Sequence, residues 1–357
     1  MPQGALPQKR APLWRQDWVN RQHMTQEPQH SQTRTFDAGL DFIDRNKDED
    51  GWFLQIECFD PHEPFFSPAK YKAFYEHEYN GPHFDWPAYC EVGETPQQVE
   101  HLRREYAALL SLCDHSLGRV LDVMDTLDLW KDTLLMVWTD HGFMLGERNC
   151  WAKVWMGWYE ETAHTPLFIW DPRSGKRGER RSTLVQPALD LGPTLLDFFG
   201  IDRTPDMRGL PLREAVASDS PVRDVVLFGH FGADVNVTDG RYAYLRKPVF
   251  EDIRPFHYTL FPTVMRGFLP HDVLKTGQMA GPLPFTKGIP VVRFGHDWPA
   301  NLTPSPGVKH ELYDLLEDPQ QQRPLTDPAI EHRMIEHLVR CMKQADAPPE
   351  QFTRMGL

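Results

Sequence analysis

The sequence predicts an α/β fold in which a mostly parallel sheet is flanked by helices and followed by a small C-terminal antiparallel α+β subdomain. Residues 134–138 and 166–170 form short apolar runs that are typical of strands buried on both faces of a parallel sheet. A long amphipathic helix precedes the first run, and alternating helices and strands favour a parallel sheet covered by helices. After residue 215 the pattern changes to short strands and turns, which predicts the antiparallel subdomain.

The composition limits the kinds of partner that the protein can have. The chain has 357 residues, of which 40% are hydrophobic, and a formal net charge of −13. A chain this acidic is poorly suited to nucleic acid, so we expect no nucleic-acid partner. An anionic substrate would have to be attracted by local cations or a metal. The sequence does not indicate an oligomeric state.

The cysteines and the hydropathy pattern bear on location. The five cysteines are scattered without a C-x-x-C spacing, which favours reduced thiols and a cytoplasmic location. The N-terminus lacks the apolar core of a secretory signal. No run approaches the ~18 apolar residues of a membrane span, so we expect no membrane association.

The N-terminal half divides into a polar segment, residues 1–34, and the start of the α/β core, which we place at residues 35–215. Residues 35–46 keep near-helical apolar spacing, and residues 52–58 predict a buried strand. Thr95 begins the longest helix: it is the N-cap, Pro96 takes the first helical position and Gln98 completes a capping box. Apolar residues then recur every three or four positions until about Trp130.

The C-terminal half continues the alternation and then departs from it. Residues 186–199 predict another helix, closed by a glycine. Residues 235–245 read as a hairpin around an Asp-Gly turn, and Pro328–Gln344 as a last helix. We assign residues 216–357 to the C-terminal subdomain, with a Pro- and aromatic-rich insertion at residues 247–308.

The triplet Asp140-His141-Gly142 stands directly after the first apolar run. In open α/β sheets, ligand sites form outside the carboxyl ends of the strands. A carboxylate and an imidazole at such a place can ligate a metal, although the triplet taken alone is also a common turn. Lys153 follows on the same loop as a cation available to an anionic substrate.

His62 is the second candidate, because it follows the predicted strand at residues 52–58. Pro61 and Pro64 flank His62-Glu63 and stiffen its backbone. A histidine fixed at a strand end is well placed as an acid or an anion-binding group. The competing interpretation is a surface histidine in a Pro-rich loop.

The order of these motifs resembles the sulfatase family of the alkaline phosphatase superfamily. In that family a strand leads to DHG, LG, W-x-K, YEE and then a Pro-Leu-hydrophobic strand, and this chain matches with Asp140-His141-Gly142, Gly146, Trp151-Ala152-Lys153, Tyr159-Glu160-Glu161 and Pro166-Leu167. Three further segments are similar to family motifs: the Pro-His-x-Pro-Phe loop at His62, residues 190–201, and the ELYDLxxDP signature at residues 311–319.

The resemblance implies a sulfuric ester hydrolase that uses one divalent metal. It implies that Asp140 and His141 are metal ligands, and that His62 and Lys153 are catalytic residues that also bind the substrate. Ca²⁺ is the metal we expect first, with Mg²⁺ and Mn²⁺ as alternatives. The substrate would be a small-molecule or saccharide sulfate ester.

Two family motifs do not occur in the sequence. Sulfatases carry an early Asp-Asp metal motif and a C-x-P-S-R or S-x-P-S-R segment whose Cys or Ser becomes the formylglycine nucleophile, and neither is found here. The chain therefore resembles the C-terminal two-thirds of a sulfatase, and we expect a truncated, N-terminally incomplete fold. Two alternatives stay open: a phosphonate monoester or phosphodiester hydrolase of the same superfamily, and a non-catalytic sulfatase remnant.

Overall fold

The computed structural model describes residues 11–154, 156–229, 231–250, 253, 255–264, 267–295 and 309–357. Helices and strands both contribute throughout, which confirms the α/β class. The helices are α1 Ala11–Arg21, α2 Ser31–Asn46, α3 Ala69–Lys72, α4 Pro96–Thr126, α5 Glu160–Ala163, α6 Pro187–Phe198, α7 Arg213–Ser218, α8 His271–Leu274, α9 Pro328–Gln344 and α10 Pro349–Arg354. The strands are β1 Leu135–Trp138, β2 Met144–Leu145, β3 Trp151–Ala152, β4 Leu167–Trp170, β5 Val226–Gly229, β6 Val235–Thr238, β7 Tyr242–Arg246, β8 Phe256–Thr259, β9 Thr263–Val264, β10 Gly267–Phe268, β11 Gln278–Ala280, β12 Val291–Gly295 and β13 Glu311–Asp314.

The long helix α4 begins as the sequence predicts. Thr95 Oγ1 accepts a hydrogen bond from the backbone N–H of Gln98, and Gln98 Oε1 accepts one from the backbone N–H of Thr95. These reciprocal bonds satisfy two N–H groups that a helix start leaves without a partner. One face of α4 then contributes to the largest buried cluster, whose fully buried members are Phe65, Tyr71, Phe84, Leu102, Ala108, Leu109, Leu112, Trp151 and Ala152. Because Trp151 and Ala152 belong to this cluster, α4 supports the loop that carries Lys153.

The strands that bracket this loop differ from the prediction in their direction. β1 and β4 pair with each other, and Leu135 lies opposite Trp170 in an antiparallel register. Every ladder that the described residues form is antiparallel. The parallel pairing was expected from buried apolar runs, but such runs report burial rather than strand direction.

The predicted strand at residues 52–58 needs a correction. The segment is extended and its side chains alternate between half-buried and exposed, as in a strand with one covered face. Leu54 and Ile56 pack against the cluster that Ile43, Val120, Met124 and Leu129 form. The segment joins no ladder within the described residues, because alternation selects an extended backbone but does not supply a neighbouring strand.

The antiparallel strands and the last helix that the sequence predicts for the C-terminal part of the chain are present. Its sheet has the order β13-β7-β6-β5, with antiparallel pairs throughout. The Asp239-Gly240 turn joins β6 to β7, and Gly240 has a φ of 89°, a left-handed conformation that glycine adopts without steric cost. Helix α9 packs on this sheet, and its buried residues Met334, Leu338 and Met342 share a cluster with residues of β6, β7 and β13.

The polar segment at residues 1–34 and the predicted insertion at residues 247–308 both contain short helices or strands. Within residues 1–34, α1 ends in Arg21, whose buried side chain forms salt bridges to Asp17 and Asp85. In the predicted insertion, β8, β12 and β11 form a three-stranded sheet, and residues 296–308 lie outside the described residues. In the part of the chain that the structure describes, no helix is long and apolar enough to span a membrane.

Candidate active site

Asp140 lies just beyond the end of β1, where the chain turns away from the sheet. Its side chain is 75% exposed. One carboxylate oxygen, Oδ1, accepts a 2.9 Å hydrogen bond from the backbone N–H of His141. The other oxygen, Oδ2, is 3.5 Å from Nε2 of His141. The carboxylate is therefore held by its own turn, with the second oxygen next to the imidazole.

The ring of His141 has a fixed orientation. Its Nδ1 is 2.9 Å from the carbonyl oxygen of Gly142. Because a carbonyl can only accept, Nδ1 carries the proton and donates, which leaves Nε2 with a lone pair in the neutral ring. A backbone partner of this kind is what orients metal-ligating histidines.

Asp140 and His141 fit as two ligands of one cation. Oδ2 of Asp140 and Nε2 of His141 are 3.5 Å apart, and two ligands at the 2.0–2.6 Å distances usual for such ions can be that far from each other. Among the described residues, no group of three or more His, Cys, Asp or Glu side chains is arranged to hold a metal. The two residues thus provide part of a coordination shell.

Lys153 is placed by a strained backbone. Its neighbours Ala152 and Val154 have φ values of 73° and 61°, which are rare for residues with a Cβ and rarer for a β-branched one. Such strain persists only where the surrounding structure imposes it, and it is concentrated at functional sites. Here it accompanies a lysine that is only 8% exposed.

Two carboxylates oppose only part of the effect of burial on Lys153, whose pKa is lowered overall. Burial lowers the pKa of its ammonium group, while electrostatic attraction from Glu63 and then from Asp140 raises it. Lys153 forms no salt bridge or hydrogen bond with the residues that the structure describes. Its ammonium group therefore remains available to bind an anion.

His62 occupies the loop that follows the extended segment at residues 52–58. Its Nδ1 is 2.6 Å from the carbonyl oxygen of Glu63, so Nδ1 donates and the ring is fixed through its own loop. The side chain is 37% exposed. Phe59 lies beside it in an edge-to-face arrangement, with ring centroids 6.1 Å apart. The second ring nitrogen, Nε2, is thereby left for another partner.

Glu63 is a site residue that the sequence analysis missed. It is 4% exposed, and its Oε1 accepts a 2.6 Å hydrogen bond from the hydroxyl of Tyr89. It acts electrostatically on Lys153 and its Oε2 lies 3.3 Å from Nδ1 of His62. A glutamate next to a histidine in a Pro-rich loop gives no signal of burial in the sequence, since charged residues are seldom buried.

The C-terminal subdomain holds the far end of the Lys153 loop. The guanidinium group of Arg148 lies 3.6 Å from the centre of the Tyr159 ring and donates a 2.5 Å hydrogen bond to the carbonyl oxygen of Gln321. The hydroxyl of Tyr159 donates to Glu311 at 3.0 Å. Cation–π contact and hydrogen bonds together hold the loop on both sides of Lys153.

The structure brings together some of the predicted site residues. Lys153 interacts electrostatically with Asp140 and Glu63, and Asp140 contacts His141. His62 is connected to this group through Glu63. That Asp140 and His141 bind a metal, and that His62 and Lys153 bind a substrate, stay predictions.

Comparison with known proteins gives a family match. A family model for sulfatases matches residues 6–201, which is more than half of the chain. The arylsulfatase of Clostridium perfringens is 27% identical over 238 residues, a match that covers 61% of this chain and 49% of that protein. The N-acetylglucosamine-6-O-sulfatase of Bacteroides thetaiotaomicron is 31% identical over 122 residues and is matched over 21% of its length. The chain thus spans about half the length of the arylsulfatase and a smaller share of the second relative.

Two solved structures have a similar fold. One is a Bacteroides fragilis protein described as a sulfatase, with a TM-score of 0.62, 17% identity, and coverage of 90% of this chain and 60% of that one. The other is the phosphonate monoester hydrolase of Silicibacter pomeroyi, with a TM-score of 0.57, 17% identity, and coverage of 89% and 60%. At 17% identity, the similarity to these two structures shows a shared fold.

Proposed function

The chain belongs to the sulfatase family, and from this membership we propose that it acts on sulfate esters as a sulfuric ester hydrolase. The observation that carries the proposal is Lys153, a buried ammonium group on a strained loop that forms no ion pair with the described residues. A buried cation is costly unless an anion compensates it. A sulfate group would supply that compensation in the complex.

Lys153 and His62 are the proposed contacts to the ester. Lys153 would bind the non-bridging sulfate oxygens with charge-assisted hydrogen bonds, which are stronger than neutral ones. In its doubly protonated form, His62 donates Nδ1–H to the carbonyl of Glu63 and would present Nε2–H to the oxygen that leaves with the alcohol, which takes up that proton. An acid held at that oxygen assists the departure of the alcohol.

Asp140 and His141 are the proposed ligands of a divalent metal. Support comes from the distance between their ligand atoms and from the backbone partner that orients the imidazole. When bound, such an ion polarises the sulfate oxygens and stabilises the charge that develops on them. Ca²⁺ is the ion we propose first, followed by Mg²⁺ and Mn²⁺. The formylglycine nucleophile that the family uses has no counterpart in this sequence, so we propose that the chain as written carries an incomplete site.

The proposed substrate class is a small-molecule or saccharide sulfate ester. It is supported by relatives that are named as an arylsulfatase and as an N-acetylglucosamine-6-O-sulfatase. An acidic protein, with a formal charge of −13, would gain its affinity for such an anion from the local charge of Lys153 and the metal.

A second function has one observation in its favour. The phosphonate monoester hydrolase of Silicibacter pomeroyi shares the fold, and phosphonate and sulfate esters both present a tetrahedral oxyanion. Hydrolysis of phosphonate monoesters or phosphodiesters is therefore the alternative. A non-catalytic sulfatase remnant is the third candidate, supported by the sequence's lack of a C-x-P-S-R or S-x-P-S-R segment.

A ligand comparison distinguishes these candidates. Calorimetric binding of phenyl sulfate and of phenyl phenylphosphonate would be measured with Ca²⁺, Mg²⁺ or Mn²⁺ and with a chelator. We expect metal-dependent binding that favours the sulfate ester. A preference for the phosphonate would support the alternative, and no metal-dependent binding of either ester would support the remnant.

A further inference from the structure

Glu63 presents a carboxylate in unusual surroundings. The residue is 4% exposed, and the hydroxyl of Tyr89 donates a 2.6 Å hydrogen bond to Oε1. The other oxygen, Oε2, is buried and accepts no hydrogen bond from the described residues. A carboxylate removed from water in this way is costly unless a positive charge lies near it.

Two groups can provide that positive charge. Nδ1 of His62 is 3.3 Å from Oε2, although its proton is directed to the backbone carbonyl of Glu63. Lys153 is the other group, and Glu63 is the carboxylate that favours its charged form most, ahead of Asp140. Glu63 and Lys153 are both buried, and the attraction between them offsets part of the cost of burying each charge.

Charge on Lys153 is a condition for binding an oxyanion. Burial alone favours the neutral amine, which would bring no positive charge to a sulfate group. The opposing attraction therefore has to come from fixed carboxylates in the unliganded protein. Glu63 is suited to this, because Tyr89 holds one of its oxygens and leaves the other free.

We propose that Glu63 is a positioning residue of the oxyanion site: its carboxylate keeps the Lys153 ammonium charged, and its carbonyl fixes the ring of His62. Glu63 acts through these two side chains and does not contact the substrate. The inference rests on the proposed function, because Lys153 and His62 are the substrate contacts proposed there. It predicts a specific electrostatic effect, which a residue that only shapes the loop would not produce.

The test is a pH titration of the Lys153 side chain, followed by lysine-selective Cε/Nζ NMR in the whole chain. The Lys153 signal is assigned as the one missing from Lys153→Met. We expect Glu63→Gln to lower the pKa of Lys153 by about one unit or more, since the attraction that opposes burial is lost. Glu63→Asp retains the charge and should restore most of the shift.

The control is Glu57→Gln, the same change at an exposed residue of the preceding extended segment, which should leave the Lys153 titration unchanged. The inference is overturned if Glu63→Gln titrates like wild type, or if Glu63→Asp lowers the pKa as far as Glu63→Gln does.

Folding is checked by circular dichroism. If Glu63→Gln does not fold, Tyr89→Phe replaces it. That variant keeps the carboxylate and removes its hydroxyl donor, so the pKa of Lys153 should rise or stay the same. A fall would contradict the proposal. Because the titration needs no substrate, it separates this inference from the proposed function, which fails independently if sulfate esters do not bind.

Discussion

The α-carbon of Gly142 faces the carbonyl oxygen of Glu161 so closely that an added Cβ would lie 1.9 Å from it. Gly142 also donates its N–H to the carbonyl of Thr162 at 3.0 Å. The glycine of the Asp-His-Gly triplet is thus required by the approach of α5, which carries the Tyr-Glu-Glu motif. Two motifs that are separate in sequence form one packed unit.

Gly142→Ala should therefore destabilise the protein by about 1–3 kcal/mol, because backbone atoms on both sides must move apart. It should also weaken metal binding, since Gly142 carries the carbonyl that orients His141. The matched control is Gly118→Ala in α4, where nothing lies within 4 Å of the added Cβ and alanine should be neutral or stabilising. Urea unfolding of both variants checks the prediction, and equal stabilities would contradict it.

Lys153→Ala should weaken the binding of sulfate esters about tenfold or more while leaving the fold intact. A hydrogen bond to a charged group contributes roughly 1.5–3 kcal/mol. Lys131→Ala is the control, because Lys131 is exposed and paired with Asp128 in the turn between α4 and β1. Calorimetry with phenyl sulfate provides the measurement. Near wild-type affinity in Lys153→Ala would mean that the lysine is a structural residue.

The buried carboxyl group of Asp60 should make the stability of the protein depend on pH. Burial raises the pKa of its carboxyl group to about 6 from an ordinary value of 3.8. Between these values the native protein holds a proton that the unfolded chain releases, so stability contributed by Asp60 falls as pH rises toward 6. Asp60→Asn should thus be near neutral at pH 4 and stabilising by about 3 kcal/mol at pH 7.5.

Unfolding of Asp60→Asn in urea at the two pH values tests this. The exposed Asp48 provides the control, because Asp48→Asn makes the same chemical change without burial. A stabilisation of Asp60→Asn that is the same at both pH values would contradict the assignment of the effect to the ionised carboxylate.

We expect the extended segment at residues 52–58 to promote self-association of the protein. It forms no ladder within the described residues, and Phe53 on its outer face is 56% exposed. Unpaired extended segments with exposed apolar side chains are templates for aggregation, and a lysine on such an edge suppresses it. Phe53→Lys should raise the concentration at which the protein stays monomeric in light scattering, without a change in unfolding temperature.

Phe74→Lys is the comparison, since Phe74 is similarly exposed but lies in a helical turn. An equal improvement from Phe74→Lys would attribute the effect to the added charge and the lost aromatic ring rather than to the extended segment.

Much of the fold was predictable because its signals are local. The capping box at Thr95, the Asp239-Gly240 turn and the apolar spacing of Pro328–Gln344 each specify a structure within a few residues. Strand pairing was not predictable in the same way. The runs that became β1 and β4 show burial, but which edges meet, and in which direction, depends on residues far apart in the chain.

The sequence offered the motif residues of the candidate site, whose roles stay predictions, but it did not reveal the residues that support them. Asp140, His141, Lys153 and His62 stand in recognisable spacings. Glu63 became visible only through its burial and its effect on Lys153. Arg148 was also missed, because its contacts to Tyr159 and Gln321 bridge distant segments. Supporting residues act through tertiary contacts, which one sequence does not display.

We propose that this chain carries the metal- and oxyanion-binding part of a sulfatase site, and its sequence has neither a C-x-P-S-R nor an S-x-P-S-R segment. The most direct test is to express residues 1–357 alone and to follow release of 4-nitrophenol from 4-nitrophenyl sulfate with added Ca²⁺, Mg²⁺ or Mn²⁺. We predict a rate no higher than background, because no residue here lies in the segment that becomes formylglycine. Metal-dependent turnover well above background, lost on Asp140→Ala, would contradict the account and show that another residue serves as the nucleophile.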